Sequence, residues 1–122
     1  MIEILTLAKR IVPEHDRLVV AVALYGRTPF IGWNSRKTSP EYRRTYANGD
    51  VSYSRHAELH ALSQLPHDAD RRKVILYVAR LSGRDALSMA KPCKDCQDAI
   101  KREGVKKVFY TDWDGNWTRL HA

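Results

Sequence analysis

Apolar residues follow two patterns along the chain, and the alternation between them predicts the order of its elements. Segments 17–25 (RLVVAVALY) and 73–79 (KVILYVA) are nearly continuous apolar runs rich in Val and Leu, which indicates buried strands. Over residues 2–12 the apolar positions instead recur at helical spacing, and Pro13 stops the pattern. The chain therefore mixes helices and strands.

Turn residues and helix ends place the remaining segments between these anchors. We expect a turn at 26–29, a strand at 30–34, a long polar connection at 35–54, a helix at 55–65, a helix at 92–103 followed by Gly104, a strand at 107–111, a turn at 114–115 and a short strand at 117–120. The order is helix, hairpin, helix, strand, helix, hairpin. It predicts an α/β fold in which the last two helices bring their N-termini together on a mixed sheet.

Two short motifs lie at the starts of those two helices: His-Ala-Glu at 56–58 and Pro-Cys-Lys-Asp-Cys at 92–96. A ring nitrogen of His56 and the thiolates of Cys93 and Cys96 are three ligands suited to one zinc ion. The fourth tetrahedral position would be open to water, as in catalytic rather than structural zinc sites. Zinc stabilises hydroxide, so such a water would supply a nucleophile near neutral pH.

Glu58 follows His56 by two residues and is the candidate proton carrier for this water, not a metal ligand. We expect Pro92 in the first turn of its helix, where its missing N–H costs nothing. The two cysteines, three residues apart, would then share one helical face. The positive end of the helix would favour their thiolate forms.

Other interpretations account for less of the pattern. A redox Cys-x-x-Cys pair leaves the His-Ala-Glu motif unexplained, and a structural zinc site needs a fourth protein ligand, for which His60 is the best candidate. The glutamate spacing does not match the His-Glu-x-x-His motif of zinc proteases. A non-catalytic zinc module that binds nucleic acid would have no use for Glu58 beside an open metal position.

Length and composition are those of a single globular domain over residues 1–122. No apolar run is long enough to cross a membrane, and the N-terminus does not have the pattern of a signal peptide. The two cysteines are both used by the proposed site, which leaves none for disulfides and indicates a reducing, cytoplasmic location. The net charge of +7 favours anionic partners, either nucleotide phosphates or a nucleic-acid backbone.

The motifs and the element order together resemble the cytidine deaminase-like superfamily over nearly the whole chain. His-x-Glu followed by Pro-Cys-x-x-Cys is the signature of zinc-dependent base deaminases. Segment 32–40 (GWNSRKTSP), taken with 56–58 and 90–93, is similar to short phage and bacterial proteins described as cytidine or deoxycytidylate deaminase-like. The resemblance implies a three-layer α-β-α fold, a mixed five-stranded sheet with helices on both faces, and hydrolytic deamination of cytosine to uracil and ammonia.

Position by position, the resemblance also implies the roles of individual residues. Glu58 would be the proton shuttle, Asn34 would contact the sugar, and the backbone of Ala57 would contact the base. The Zn²⁺ ligands would be His56, Cys93 and Cys96.

The tight turn after Tyr110 bears on the branch of the superfamily, because it leaves no room for a helix between the last two strands. This resembles the branch with free-nucleoside cytidine deaminases and some bacterial toxin deaminases. The branch with tRNA adenosine deaminases, editing cytosine deaminases and typical deoxycytidylate deaminases normally carries a further C-terminal helix. Small deaminases of this type commonly assemble as dimers or tetramers, so we expect a homo-oligomer.

The connection between Asn34 and His56 should flank the substrate pocket. Its arginines and lysines suit phosphates, and its interleaved tyrosines suit stacked bases, although a solvated loop explains most of them equally well. Lys37 and Arg55 have the best claim to a phosphate. Small size and the similarity to short phage and bacterial proteins favour a free cytosine nucleoside or nucleotide as substrate, of the cytidine, deoxycytidine or dCMP type. Cytosine within single-stranded DNA or RNA is the alternative.

Overall fold

The computed structural model describes residues 18–34, 44–45, 51–52, 56–81 and 87–120. The predicted helix at 2–12 and most of the connection at 35–54 lie outside these ranges. A 3₁₀ turn, Arg71–Lys73, precedes the long central strand. The other elements are β1 (Val19–Tyr25), β2 (Thr28–Trp33), β3 (Arg44–Thr45), β4 (Val51–Ser52), α1 (Ala57–Ser63), β5 (Val74–Leu81), β6 (Leu87–Ser88), α2 (Lys94–Glu103), β7 (Lys107–Thr111) and β8 (Trp117–Arg119).

The main sheet is mixed, as predicted, and its continuous path has the strand order β2-β1-β5-β7-β8. Strand β1 is antiparallel to both β2 and β5, whereas β5 and β7 are parallel and are connected through α2. Five strands form this path, and β6, which the sequence did not predict, pairs with the end of β5. Strands β3 and β4, which the sequence did not predict, form a separate antiparallel pair within the long polar connection.

The β1–β2 hairpin is tighter than the predicted turn at 26–29. Gly26 has a φ of 63° and, with Arg27, makes a two-residue connection, so β2 begins at Thr28 rather than Phe30. Pro29 pairs with Leu24 inside the ladder. Proline is tolerated there because β2 is an edge strand and the missing N–H faces its outer side.

The two faces of the sheet are both buried, but the described helices cover only one of them. Helices α1 and α2 pack on the first face. That face carries Ala21, Ala23, Leu76, Val78 and Val108, joined by Ala61, Leu62 and Ile100 of the helices. The second face carries Leu18, Val20, Val22, Ala79 and Leu81. A helix on that second face stays a prediction, because residues 2–12 lie outside the described ranges.

The last two strands form the predicted hairpin. Strands β7 and β8 are antiparallel, with Phe109 opposite Arg119, and Gly115 has a φ of 80° in the turn between them. None of the helices in the described part of the chain combines the length and apolar character needed to cross a membrane.

Candidate active site

The candidate site lies at the edge of the sheet where β5 and β7 end. These strands are parallel, so their carboxyl ends share one edge. The segment that leads into α2 is bound to that edge, because Ala90 N donates to Thr111 O at 2.8 Å and Thr111 Oγ1 donates to Ser88 O. Thr111 is fully buried. This anchoring determines where Cys93 enters its helix.

Three predicted metal ligands converge at this edge. The ligand atoms of His56, Cys93 and Cys96 all lie within 4.8 Å of one another. Cys96 Sγ lies 3.2 Å from His56 Nδ1, although the two residues are 40 positions apart in sequence. A tetrahedral zinc ion bound by sulfur and nitrogen holds these two atoms about 3.6 Å apart. The two thiols and the imidazole therefore fit zinc after a small outward adjustment.

Both ligand-bearing helices begin at a ligand. His56 is the N-cap of α1 and Cys93 is the N-cap of α2, each with extended backbone and without a side-chain capping hydrogen bond. Side chains at such positions often cap backbone N–H groups, whereas here they meet in one cluster of possible metal ligands. The prediction that Pro92 lies in the first turn is wrong. Cys93 has a ψ of 164°, so the helix starts at Lys94 and Pro92 precedes the cap.

The folded protein favours the thiolate form of Cys93. Hydrogen bonds with the Cys96 and His56 side chains lower the pKa of Cys93 to about 3, against the opposing effect of partial burial. A metal would therefore meet a deprotonated ligand at neutral pH. Cys93 is exposed and Cys96 is fully buried, so one thiol faces solvent while the other is part of the core.

Glu58 is buried in the first turn of α1, with 6% of its surface exposed. Within the described ranges it is the one charged side chain in the core. Burial raises the pKa of Glu58, while a backbone hydrogen bond and the charge of His56 oppose the rise. Since Cys96 also hydrogen-bonds to this carboxyl group, Glu58 lies directly beside the metal ligands and has a raised affinity for a proton.

His60, the candidate fourth ligand of a structural zinc site, does not join the group of His56, Cys93 and Cys96. Its Nδ1 accepts the backbone N–H of Trp33 at 3.1 Å, and the two rings meet edge to face with centroids 4.7 Å apart. A backbone N–H can only donate, so Nδ1 carries no proton. His60 thus connects α1 to the end of β2.

Asn34 follows β2 at the same sheet edge as the metal ligands, since Val19 lies opposite Arg80 near the end of β5. Its backbone N–H donates to Val19 O at 3.2 Å, and its Oδ1 accepts Val19 N–H at 2.9 Å. The amide is therefore oriented by β1.

The other predicted substrate contacts divide into two groups. Ala57 is the first residue of α1 and its side chain is buried, which leaves its backbone as the candidate contact. Lys37 and Arg55 lie outside the described residues, so their contacts stay predictions.

Two residues near the site, Gly32 and Gln64, were not predicted to be important to it. A Cβ atom on Gly32 would lie 2.3 Å from Ala61 N and 2.5 Å from Ala57 O, so only glycine allows β2 to cross α1 so closely. Gln64 Nε2 donates to Ile31 O on the same side of β2. The Gly-Trp-Asn sequence at 32–34 was the one pattern that could have indicated this close crossing, and only Asn34 was given a role from it.

The whole chain was then compared with known proteins. Residues 1–112 match the family model described as the cytidine and deoxycytidylate deaminase zinc-binding region. No curated protein matches the chain. The family match and the donor set of one imidazole and two thiols point to the same metal. The chain therefore belongs to the cytidine and deoxycytidylate deaminase family, as a zinc-dependent, cytidine deaminase-like hydrolase.

Proposed function

We propose that this protein converts cytosine to uracil in a free nucleoside or nucleotide, with water consumed and ammonia released. The observation that carries the proposal is the buried Glu58 carboxyl beside the His56, Cys93 and Cys96 cluster. A purely structural zinc site does not require a buried acid next to its ligands. A hydrolytic deaminase does, because protons must move between water, the ring and the leaving group.

When bound, zinc supplies Lewis-acid activation of a water molecule. Glu58 would take a proton from water and deliver it to N3 of the ring while the water oxygen bonds to C4, which becomes tetrahedral. The proton of the resulting C4 hydroxyl would pass through the same carboxyl group to the amino nitrogen. The C4–N bond would then break to release ammonia, and the hydroxyl oxygen would become the C4 carbonyl. The raised pKa of Glu58 suits this role, because a shuttle must hold the proton between the two transfers.

Substrate positioning would come from chain segments around this edge of the sheet. Asn34 is assigned to the sugar and the backbone N–H of Ala57 to the base. Lys37 and Arg55 are assigned to a phosphate. The support for Asn34 is its location at the same sheet edge and the fixed orientation of its amide.

The antiparallel hairpin of β7 and β8 supports the branch with free-nucleoside cytidine deaminases and some bacterial toxin deaminases. Small size and the similarity to short phage and bacterial proteins favour the free nucleoside or nucleotide as substrate. The net charge of +7 supports the alternative, cytosine within single-stranded DNA or RNA, because a strand must be held by its phosphates while the base enters the pocket.

The test is a mass-spectrometric deamination assay on the zinc-loaded protein, with Glu58→Gln as the inactive control. The substrates are cytidine, deoxycytidine, their mono- and triphosphates, adenosine, and single-stranded DNA and RNA. Conversion of free cytosine compounds alone is expected. Conversion within strands alone would favour the alternative, and binding should then weaken steeply with added salt as counterions are released. No conversion of any cytosine compound would contradict the proposal.

A further inference from the structure

Strand β2 is an edge strand, with β1 as its one neighbour in the described sheet. The backbone N–H and C=O groups on its outer side would ordinarily form hydrogen bonds with water or with another strand. Asn34 N donates inward to Val19 O. Backbone groups alternate in direction along a strand, so those of Ile31 and Trp33 face outward. The outer edge near the site therefore presents Trp33 N–H as a donor and Ile31 C=O as an acceptor.

Helix α1 satisfies both of these groups with side chains. His60 Nδ1 accepts Trp33 N–H at 3.1 Å, and Gln64 Nε2 donates to Ile31 O. His60 and Gln64 are four residues apart, so they project from one side of the helical segment and match two outward groups of the strand. The two side chains take the place of the backbone groups that a neighbouring strand would present.

Gly32 makes this arrangement possible. It lies between the two bonded residues of β2, and a Cβ there would lie 2.3 Å from Ala61 N. Backbone therefore packs against backbone at this crossing, and the His60 and Trp33 rings meet beside it. Such a contact has little room to slide, because close-packed backbones do not deform readily.

This crossing connects two parts of the candidate site: Asn34 after β2, and His56 and Glu58 at the start of α1. Asn34 directly follows Trp33, while His56 lies one helical turn before His60 and Glu58 lies two residues before it. We infer that His60 is a positioning residue for the deamination reaction: by accepting Trp33 N–H, it holds Asn34 at a fixed place relative to the helix that carries His56 and Glu58. This inference rests on the proposed function, in which Asn34 contacts the sugar.

The test replaces His60 with one residue that keeps the hydrogen-bond acceptor and one that lacks it. In His60→Asn, Oδ1 is three bonds from Cα, as Nδ1 is in histidine, so the acceptor is kept. In His60→Leu the size is similar and the acceptor is lost. His67→Leu is the matched control, because His67 is exposed in the segment after α1. Each zinc-loaded protein is assayed for zinc content, thermal unfolding, kcat and KM with the best wild-type substrate.

We expect His60→Leu to keep one zinc per chain, to raise KM about fivefold to tenfold and to change kcat less, as the loss of one positioning hydrogen bond implies. His60→Asn should recover KM to within about threefold of wild type, and His67→Leu should match wild type. A merely structural role would lower the fraction of folded enzyme, and hence apparent kcat, at unchanged KM. That pattern, or equal KM values for His60→Asn and His60→Leu, would overturn the inference.

An activity-independent measurement separates this inference from the proposed function. Amide hydrogen exchange of Trp33 should be slow in wild type and in His60→Asn and at least about tenfold faster in His60→Leu. Slow exchange in all three proteins would refute the positioning bond whatever the activity. If the exchange pattern is as expected but wild type converts no cytosine compound, the proposed function fails, and with it the role assigned to His60 in the reaction.

Discussion

Glu58 and Cys93 show how the folded chain prepares single residues for chemistry. Burial gives Glu58 a raised pKa, whereas hydrogen bonds give Cys93 a lowered one. The two shifts have opposite directions because the carboxyl group lies in the core and the thiol lies partly in solvent among donors. The Glu58 carboxyl group is thereby prepared to hold a proton, and the Cys93 thiolate to bind a metal cation.

Replacing Glu58 by Gln should separate metal binding from catalysis. Gln has the same shape but cannot accept and release a proton, so turnover should fall by about three orders of magnitude. Zinc content should remain one per chain, as measured by inductively coupled plasma mass spectrometry. A variant without zinc would instead identify Glu58 as a ligand.

The same substitution should stabilise the zinc-free protein at neutral pH. The folded-state pKa of Glu58 is raised above 4.5, so above that folded value the native protein carries an ionised carboxylate in its core. The gain from Glu58→Gln should be complete there and should disappear as the pH falls through the folded value to below 4.5, where wild-type Glu58 is neutral in both states. Thermal unfolding of both proteins between pH 4 and 8 measures this; a gain that is constant over the range would contradict it.

Removing either thiol should abolish zinc binding, with unequal effects on the fold. Cys93→Ala and Cys96→Ala each leave two protein ligands, and Cys96→Ala should be the less stable because Cys96 is fully buried. Asp95→Asn, between the two cysteines, is the control and should retain zinc. Zinc analysis and thermal unfolding distinguish the three variants, and full zinc in either cysteine variant would remove that residue from the site.

At the scale of elements, the crossing of β2 over α1 is the most constrained contact near the site. Gly32→Ala places a methyl group into the backbone of α1 and should lower the free energy of unfolding by about 3 kcal/mol. Gly26→Ala is the comparison, because nothing lies within 4 Å of its Cβ and only its positive φ opposes the change. Urea unfolding should show a clearly larger loss for Gly32→Ala; equal losses would mean that the helix can move away.

The sequence predicted the strands β1, β2, β5, β7 and β8, the two described helices and the three metal ligands, because hydrophobic patterns and the imidazole and thiol groups are local features of the sequence. It did not predict β3, β4 or β6. The predicted start of β2 was two residues too far along the chain, at Phe30 instead of Thr28. Proline usually marks a turn, and Pro29 can pair with β1 only because β2 is an edge strand. The bonds from His60 and Gln64 to β2 could not be predicted. They depend on which strand the helix crosses, and no local pattern in residues 60–64 indicates that strand.

At the scale of the whole molecule, zinc should contribute to stability as well as to chemistry. Its ligands come from the starts of two helices, so removing the ion leaves two thiols and an imidazole crowded together. Treatment with a chelator should lower the midpoint of thermal unfolding by roughly 10 °C or more, and added zinc should restore it. Cys93→Ala should be insensitive to the chelator. An unchanged midpoint in wild type would show that the fold is independent of the metal.

The zinc ligands are far apart in sequence, so a bound ion would link distant parts of the chain. Cys93 and Cys96 are neighbours in an unfolded chain, but His56 and Cys96 are 40 residues apart, and β5 lies between them. An ion shared by all three is a cross-link that closes this loop, in the manner of a disulfide, and a loop of that length is worth about 4 kcal/mol of unfolded-state entropy.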